Sequence, residues 1–265
     1  MPRRVNRALA CGLAMAGALG ANLPAWGQGA TERVSLGPNG VQGNGSSGNI
    51  SNPVLSADGR FVAFDSAASN LVPGDTNGVL DVFVHDRRLG ATRRVSVGPN
   101  GRQGNDSSAY AVLSADGRFV AFVSAASNLV PGDTNGSWDI FVHDRRLGAT
   151  RRVSVGRRGS QGNGYSFIPA LSADGRFVGF DSAASNLVPG DTNGALDVFV
   201  HDRRRGAIRR VSVGPNGRQG NDSSTYAALP ADGRFVAFTS FASNLVPGGT
   251  NGVLDVFVHT LAGAR

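Results

Sequence analysis

Lysine is absent from this chain, glutamate occurs once (Glu32), and the single cysteine, Cys11, lies close to the start. Without lysine, all 26 basic side chains are arginine, and the sequence pI of about 11.0 reflects a small excess of arginine over aspartate rather than a basic tail. From about residue 28 onward there is no cysteine, so the rest of the chain tolerates an oxidising compartment but gains nothing from disulfides. No segment has a helical period. The one long apolar run, Ala8 to Leu23, is short and rich in glycine and alanine, which argues against a membrane span. Arg3, Arg4 and Arg7 precede it and Ala25-Trp26-Gly27 follows it, the order of a secretory signal over residues 1–28. Ala8, three residues before Cys11, stands where lipid attachment would want an aliphatic residue. Removal of the three leader arginines leaves 23 arginines against 19 acids, a modest positive charge.

What the chain has in abundance is repetition. The hexapeptide ADGRFV starts at Ala57, Ala115, Ala173 and Ala231, always 58 residues apart. A period of that length implies one supersecondary unit copied along the chain, each copy too small to bury its apolar residues alone. Within a unit, Arg94 to Val97 alternates polar and apolar as a half-buried strand does. Ala109 to Leu113 is a short apolar strand, and Ala115-Asp116-Gly117 is a hairpin turn. Arg118 to Ser124 and Asp139 to Asp144 are apolar on both faces, which suits strands sandwiched between sheets. A long loop, Ala125 to Trp138, separates them.

Four strands per unit and four units predict an all-β, four-bladed β-propeller of four-stranded antiparallel blades over residues 31–260. A sandwich or a solenoid fits the pattern less well. Glu32 to Leu36 copies the fourth strand, whereas the last unit reaches only its third strand, Asp255 to Thr260. The expectation is therefore a ring closed by the N-terminal strand, which removes an unpaired sheet edge. Four blades are at the small end for such rings, so two chains forming one larger ring stays open as an alternative.

At LSADGRFVAF…DVFVHDRRLGATRRVSV the sequence resembles the TolB-like β-propeller repeat family, also described as WD40-like propeller repeats. The resemblance spans all four repeats. Leu55, Leu113, Leu171 and Leu229 stand where that family often has tryptophan, and Ala57 and its equivalents replace the proline of the turn. The resemblance implies a periplasmic or extracellular binding or scaffold module. Some members are fused to a hydrolase domain, and none is legible in these residues.

Three sets of residues are candidates for chemistry. The loop Pro-Gly-Asp-Thr-Asn-Gly-x-x-Asp recurs with Asp75, Asn77, Asp81; Asp133, Asn135, Asp139; and Asp191, Asn193, Asp197. Alternating Asp and Asn oxygens before a glycine bend supply the hard ligands calcium takes, although proline replaces the first carboxylate of longer calcium loops. Two readings stand, a calcium site and a plain turn. In the fourth copy Gly249 replaces the first Asp, so there the site would be weak or empty.

His85, His143, His201 and His259 share one position on the third strand. That strand lies on the order of 10 Å outside the channel wall, too far for the rings to share an ion. They read as packing and hydrogen-bonding residues between blades. Arginine pairs at 87/88, 145/146, 203/204, 93/94, 151/152 and 209/210 flank the outer hairpin beside Asp86, Asp144 and Asp202. With no interleaved aromatics, this is a salt-bridged rim rather than a nucleic-acid surface.

Catalysis has little support, because no G-x-S-x-G elbow occurs and each histidine recurs like a structural residue. The polar loops Arg102 to Ser108 and Arg218 to Ser224 lead to a channel mouth, where propellers bind ligands. Tyr165, Phe167 and Arg157-Arg158 make the third copy the most divergent there. The expected function is a secreted or periplasmic binding or scaffold module for a protein, peptide or glycan, possessing no nucleic-acid partner. The alternatives are a hydrolase or lyase acting on glycans in the channel, and a cell-surface structural repeat protein.

Overall fold

The computed structural model describes residues 29–249 and 252–261. The expected signal over residues 1–28 lies outside the described residues, and the compact repeat-bearing unit starts at Val34.

The described strands form four antiparallel sheets taken in chain order. The first is β1 (Val54–Leu55), β2 (Phe61–Ser66), β3 (Asp81–Asp86) and β4 (Ala91–Arg94). The second is β5 (Ser108–Leu113), β6 (Phe119–Ser124), β7 (Asp139–Asp144) and β8 (Ala149–Arg152). The third is β9 (Ser166–Leu171), β10 (Phe177–Ser182), β11 (Asp197–Asp202) and β12 (Ala207–Arg210). The fourth comprises β13 (Ser224–Ala228), β14 (Phe235–Ser240) and β15 (Asp255–Thr260). Each is a simple meander from an inner to an outer strand, and neighbouring sheets pack face to face in sequence, with the first strands of consecutive sheets side by side. These are the blades of a four-bladed β-propeller.

Local chemistry explains the repetition. In the SADGRF turn, Asp58 Oδ1 accepts from the Ser56 hydroxyl and the Arg60 N–H, while Ser56 Oγ accepts from the Phe61 N–H. The turn therefore satisfies its own polar groups before any tertiary contact forms. Successive turns are then stapled together: the Ala57, Ala115 and Ala173 N–H groups donate to the carbonyls of Ala115, Ala173 and Ala231 at 2.9, 2.8 and 3.2 Å. Gly117 is required there twice over. Its φ is +67°, and a Cβ at this position would fall on the Phe61 ring of the preceding sheet.

In the first three sheets the two middle strands are buried on both faces, as the apolar runs imply: β3, β7 and β11 are buried along their whole length. The core consists of seams between sheets. Val82, Val84 and Val95 of the first meet Val120, Phe122 and Phe141 of the second. Ile140, Val142 and Val153 meet Val178, Phe180 and Phe199, and Val198, Val200 and Val211 meet Val236 and Phe238.

Two expectations need correction. The outer strand is Ala91–Arg94 rather than Arg94 to Val97, because Arg94 and Ser96 turn inward to bond Asp81 and end the exposed edge. The fourth sheet, moreover, has three strands among the described residues, and no strand from Glu32 to Leu36 pairs with β15. Val34 packs instead on the outward face of the first sheet, and the Leu36 carbonyl accepts from the Thr92 hydroxyl there. The expected ring closure is thus not made among the described residues.

Candidate functional site

The inner strands β5, β9 and β13 each carry a bulge at the same place, where the pairing register slips opposite the middle strand. The extra residue adopts the left-handed region: Tyr110 at φ +54°, Ile168 at +50° and Tyr226 at +59°. For a β-branched residue such as Ile168 this is strained backbone, held only because the surrounding sheet fixes it. Bulges re-aim side chains and cluster beside binding sites.

At the seam between the second and third sheets the bulge gathers aromatics. Phe167 is the hub, with Trp138 at 5.5 Å, Tyr165 at 5.7 Å and Tyr110 at 6.4 Å between ring centroids. Tyr165 remains 45% exposed at the surface. This cluster breaks the repeat. Phe167 corresponds to Ala109 and Thr225, Tyr165 to Ser107 and Ser223, and Trp138 to Leu80, Leu196 and Leu254. Sequence divergence of the third copy pointed to Tyr165 and Phe167. It missed Tyr110 and Trp138, whose contribution depends on the adjoining sheet.

Asp181, opposite Phe167 in the register, was also missed. It is 4% exposed, its Oδ1 has no hydrogen-bond partner, and burial pushes its carboxyl up to about 7 against the pull of backbone N–H groups, that of Tyr226 among them. The equivalent Asp65 accepts instead from the Ile50 and Ser51 N–H groups and the Ser51 hydroxyl. A buried carboxyl lacking such donors holds its proton.

The Asp/Asn loops are built around an arginine. The Arg94 guanidinium bridges Asp75 at 3.2 Å and Asp81 at 3.1 Å, with all three side chains buried. Asp81 Oδ1 accepts from the Ser96 hydroxyl, and Oδ2 accepts from Arg94 and from the Asn77 amide. Asn77 Oδ1 is turned to the Val79 N–H. The same latch joins Arg152 to Asp133 and Asp139 with Asn135, and Arg210 to Asp191 and Asp197 with Asn193. This donor set does not fit calcium as arranged: a guanidinium already occupies the centre and pairs with both carboxylates, and the asparagine offers its NH2 face to that centre. Among the described residues no group of three His, Cys, Asp or Glu side chains gathers to hold a metal.

His85 and His143 are buried, and each shares a hydrogen bond with a threonine on the outer strand, Thr92 at 3.0 Å and Thr150 at 2.9 Å. Those hydroxyls donate in turn to the Leu36 and Val97 carbonyls of the preceding segment. The histidines therefore tie sheet to loop, and burial pushes His143 down to about 4, keeping it neutral. In the third sheet Ile208 replaces the threonine, leaving His201 Nδ1 buried without a partner.

The rim arginines divide by role. Arg60, Arg118 and Arg176 form two-pronged pairs with Asp86, Asp144 and Asp202. Arg145 and Arg203 stack on Phe61 and Phe119 of the preceding sheet, with ring centroids 4.1 and 4.2 Å away. Arg94, Arg152 and Arg210 are interior latches rather than solvated rim.

No family model matches this chain, and no curated protein matches it. Its sheet arrangement is similar to those of solved β-propeller proteins at low identity. TolB from Acinetobacter baumannii is 18% identical over 78% of this chain and 40% of its own, with a TM-score of 0.43. The β-propeller domain of the Trilobed protease from Pyrococcus furiosus is 13% identical over 78% of this chain and 53% of its own, at 0.46. Oligogalacturonate lyase from Vibrio parahaemolyticus is 13% identical over 76% and 50%, at 0.44. The chain thus spans about half the length of these proteins or less.

Proposed function

We propose that the protein is a secreted or periplasmic binding module that takes its ligand at the aromatic seam between the second and third sheets. The observation that carries this is the confinement of Trp138, Tyr165 and Phe167, which no other repeat matches, to one seam where they meet Tyr110. A structural requirement would recur from sheet to sheet, as the arginine latch does in the first three. Half-exposed aromatic faces stack on the C–H faces of sugar rings or on apolar peptide side chains. Stacking faces of this kind suit a neutral glycan. No described helix is long and apolar enough to cross a membrane, and the leader-like composition of residues 1–28 supports export.

Trp138 makes the test direct, since Trp26 is the only other tryptophan. In a Trp26→Phe background, neutral oligosaccharides should change Trp138 emission saturably, and Phe167→Ala should abolish the change. Saturation by apolar peptides alone would move the ligand class to peptide. A response that survives Phe167→Ala would refute the site.

A further inference from the structure

The fourth sheet presents a face that every other sheet covers. Val256 and Val258 of β15 are 75% and 67% exposed, whereas their equivalents Val82, Val84, Ile140, Val142, Val198 and Val200 are at most 4% exposed. Polar groups on β15 also stand apart from the partners of their counterparts. Asp255 corresponds to Asp81, which is held by Arg94 and Ser96, and His259 to His85, which bonds Thr92. Those partners all lie on the outer strand and the residues just after it.

The chain holds a second copy of that missing strand. Residues 29–44 repeat residues 90–105 except at Glu32, Leu36 and Val41, where Arg93, Val97 and Arg102 stand. Thr31, Arg33 and Ser35 thus match Thr92, Arg94 and Ser96. Part of this copy is already set for the task. Val34 packs on the first sheet with Phe64 and Leu71, as Val95 packs on the second with Phe122 and Leu129, and the Leu36 carbonyl is fixed by Thr92 as the Val97 carbonyl is by Thr150. In the internal seams the segment that does this is also the outer strand of the preceding sheet. Among the described residues no sheet precedes the first, and the fourth sheet packs on the third.

We propose that this seam is completed by a second copy of the chain, joined head to tail. The second copy's residues 31–36 add the fourth strand to β15, and the face of its first sheet covers Val256 and Val258. The pairs Phe83 with Arg94, Val84 with Arg93 and His85 with Thr92 set the register as Phe257 with Arg33, Val258 with Glu32 and His259 with Thr31 across the two chains. Arg33 and Ser35 then bond Asp255, and Thr31 bonds His259. The interface uses two different surfaces, so two copies close a ring of eight sheets where the angle permits, and longer chains form where it does not.

The experiment uses the full chain carrying Cys11→Ser. A Glu32→Cys protein and a Val258→Cys protein are mixed and oxidised. A disulfide-linked species of twice 27.3 kDa, formed in the mixture and not by either protein alone, is expected. Light scattering of the unsubstituted chain should give a mass of at least two copies, falling to one copy in Val256→Asp/Val258→Asp with its β-sheet circular dichroism unchanged. A single-copy mass at every concentration, or a Glu32→Cys/Val258→Cys chain that links only within itself, overturns the proposal. Neither readout involves the aromatic seam, so this result stands apart from the ligand titration.

Discussion

Replacing Asp181 by asparagine isolates one buried proton. The carboxyl is 4% exposed at the seam between the third and fourth sheets, and burial raises its pKa from 3.8 to about 7 in the folded protein. The folded pKa lies above the unfolded one, so between roughly pH 4 and pH 7 the folded chain binds a proton that the unfolded chain has released. The stabilisation is fully present below pH 4 and is lost as pH rises through 7. A displacement of about three pH units at about 1.4 kcal/mol each makes this group responsible for about 4 kcal/mol of lost stability at alkaline pH. Asparagine carries no such charge and keeps an oxygen for the Tyr226 N–H. Guanidinium unfolding of both proteins at about pH 4.5 and about pH 8.5 supplies the comparison, an interval that covers most of the window given by the linkage relation. The wild type should lose about 3 kcal/mol more than Asp181→Asn across that interval. Other groups titrate equally in both proteins and cancel, His143 among them, being held neutral by burial. Equal losses in the two proteins would show that the carboxyl is solvated or paired, and the reasoning would fail.

Arg152→Met leaves Asp133 and Asp139 buried without their cation and should cost about 3–5 kcal/mol, read from thermal melts. Because that arginine fills the centre of the loop, chelation and millimolar calcium should leave the melting temperature of the wild type unchanged; a rise with calcium would restore the metal reading. Ile208→Thr gives His201 the hydroxyl that His143 already has and should stabilise by about 1 kcal/mol, whereas Thr150→Ile should destabilise by about 1–2 kcal/mol. Gly117→Ala combines a φ of +67° with a collision on Phe61, so its unfolding midpoint should fall well below that of Gly132→Ala, which has an equally positive φ but open space.

Much of the fold was legible because it is local and repeated. The Ser-x-Asp-Gly turn closes on its own side chains, and apolar runs such as DVFV are buried on both faces, so period and pattern alone gave four sheets of meandering strands. The sites were legible only in part. The Asp-Thr-Asn-Gly loops suggest a cation by their spacing, but Arg94 reaches them from the outer strand 13 residues past Asp81, and linear spacing does not reveal which charge fills the centre. Tyr165 and Phe167 stood out as departures from the repeat, while Tyr110 and Trp138 join them only across a seam between sheets.

The sequence by itself determined the strands, the turns and the number of repeats, since each depends on hydrogen bonds and side chains a few residues apart. Only the tertiary structure decided what meets across the seams: the arginine within the loops, the unpaired carboxyl of Asp181, and the uncovered valines of the last sheet. The physical reason is that these contacts join residues from different sheets, far apart in sequence, and no local residue pattern encodes which faces meet.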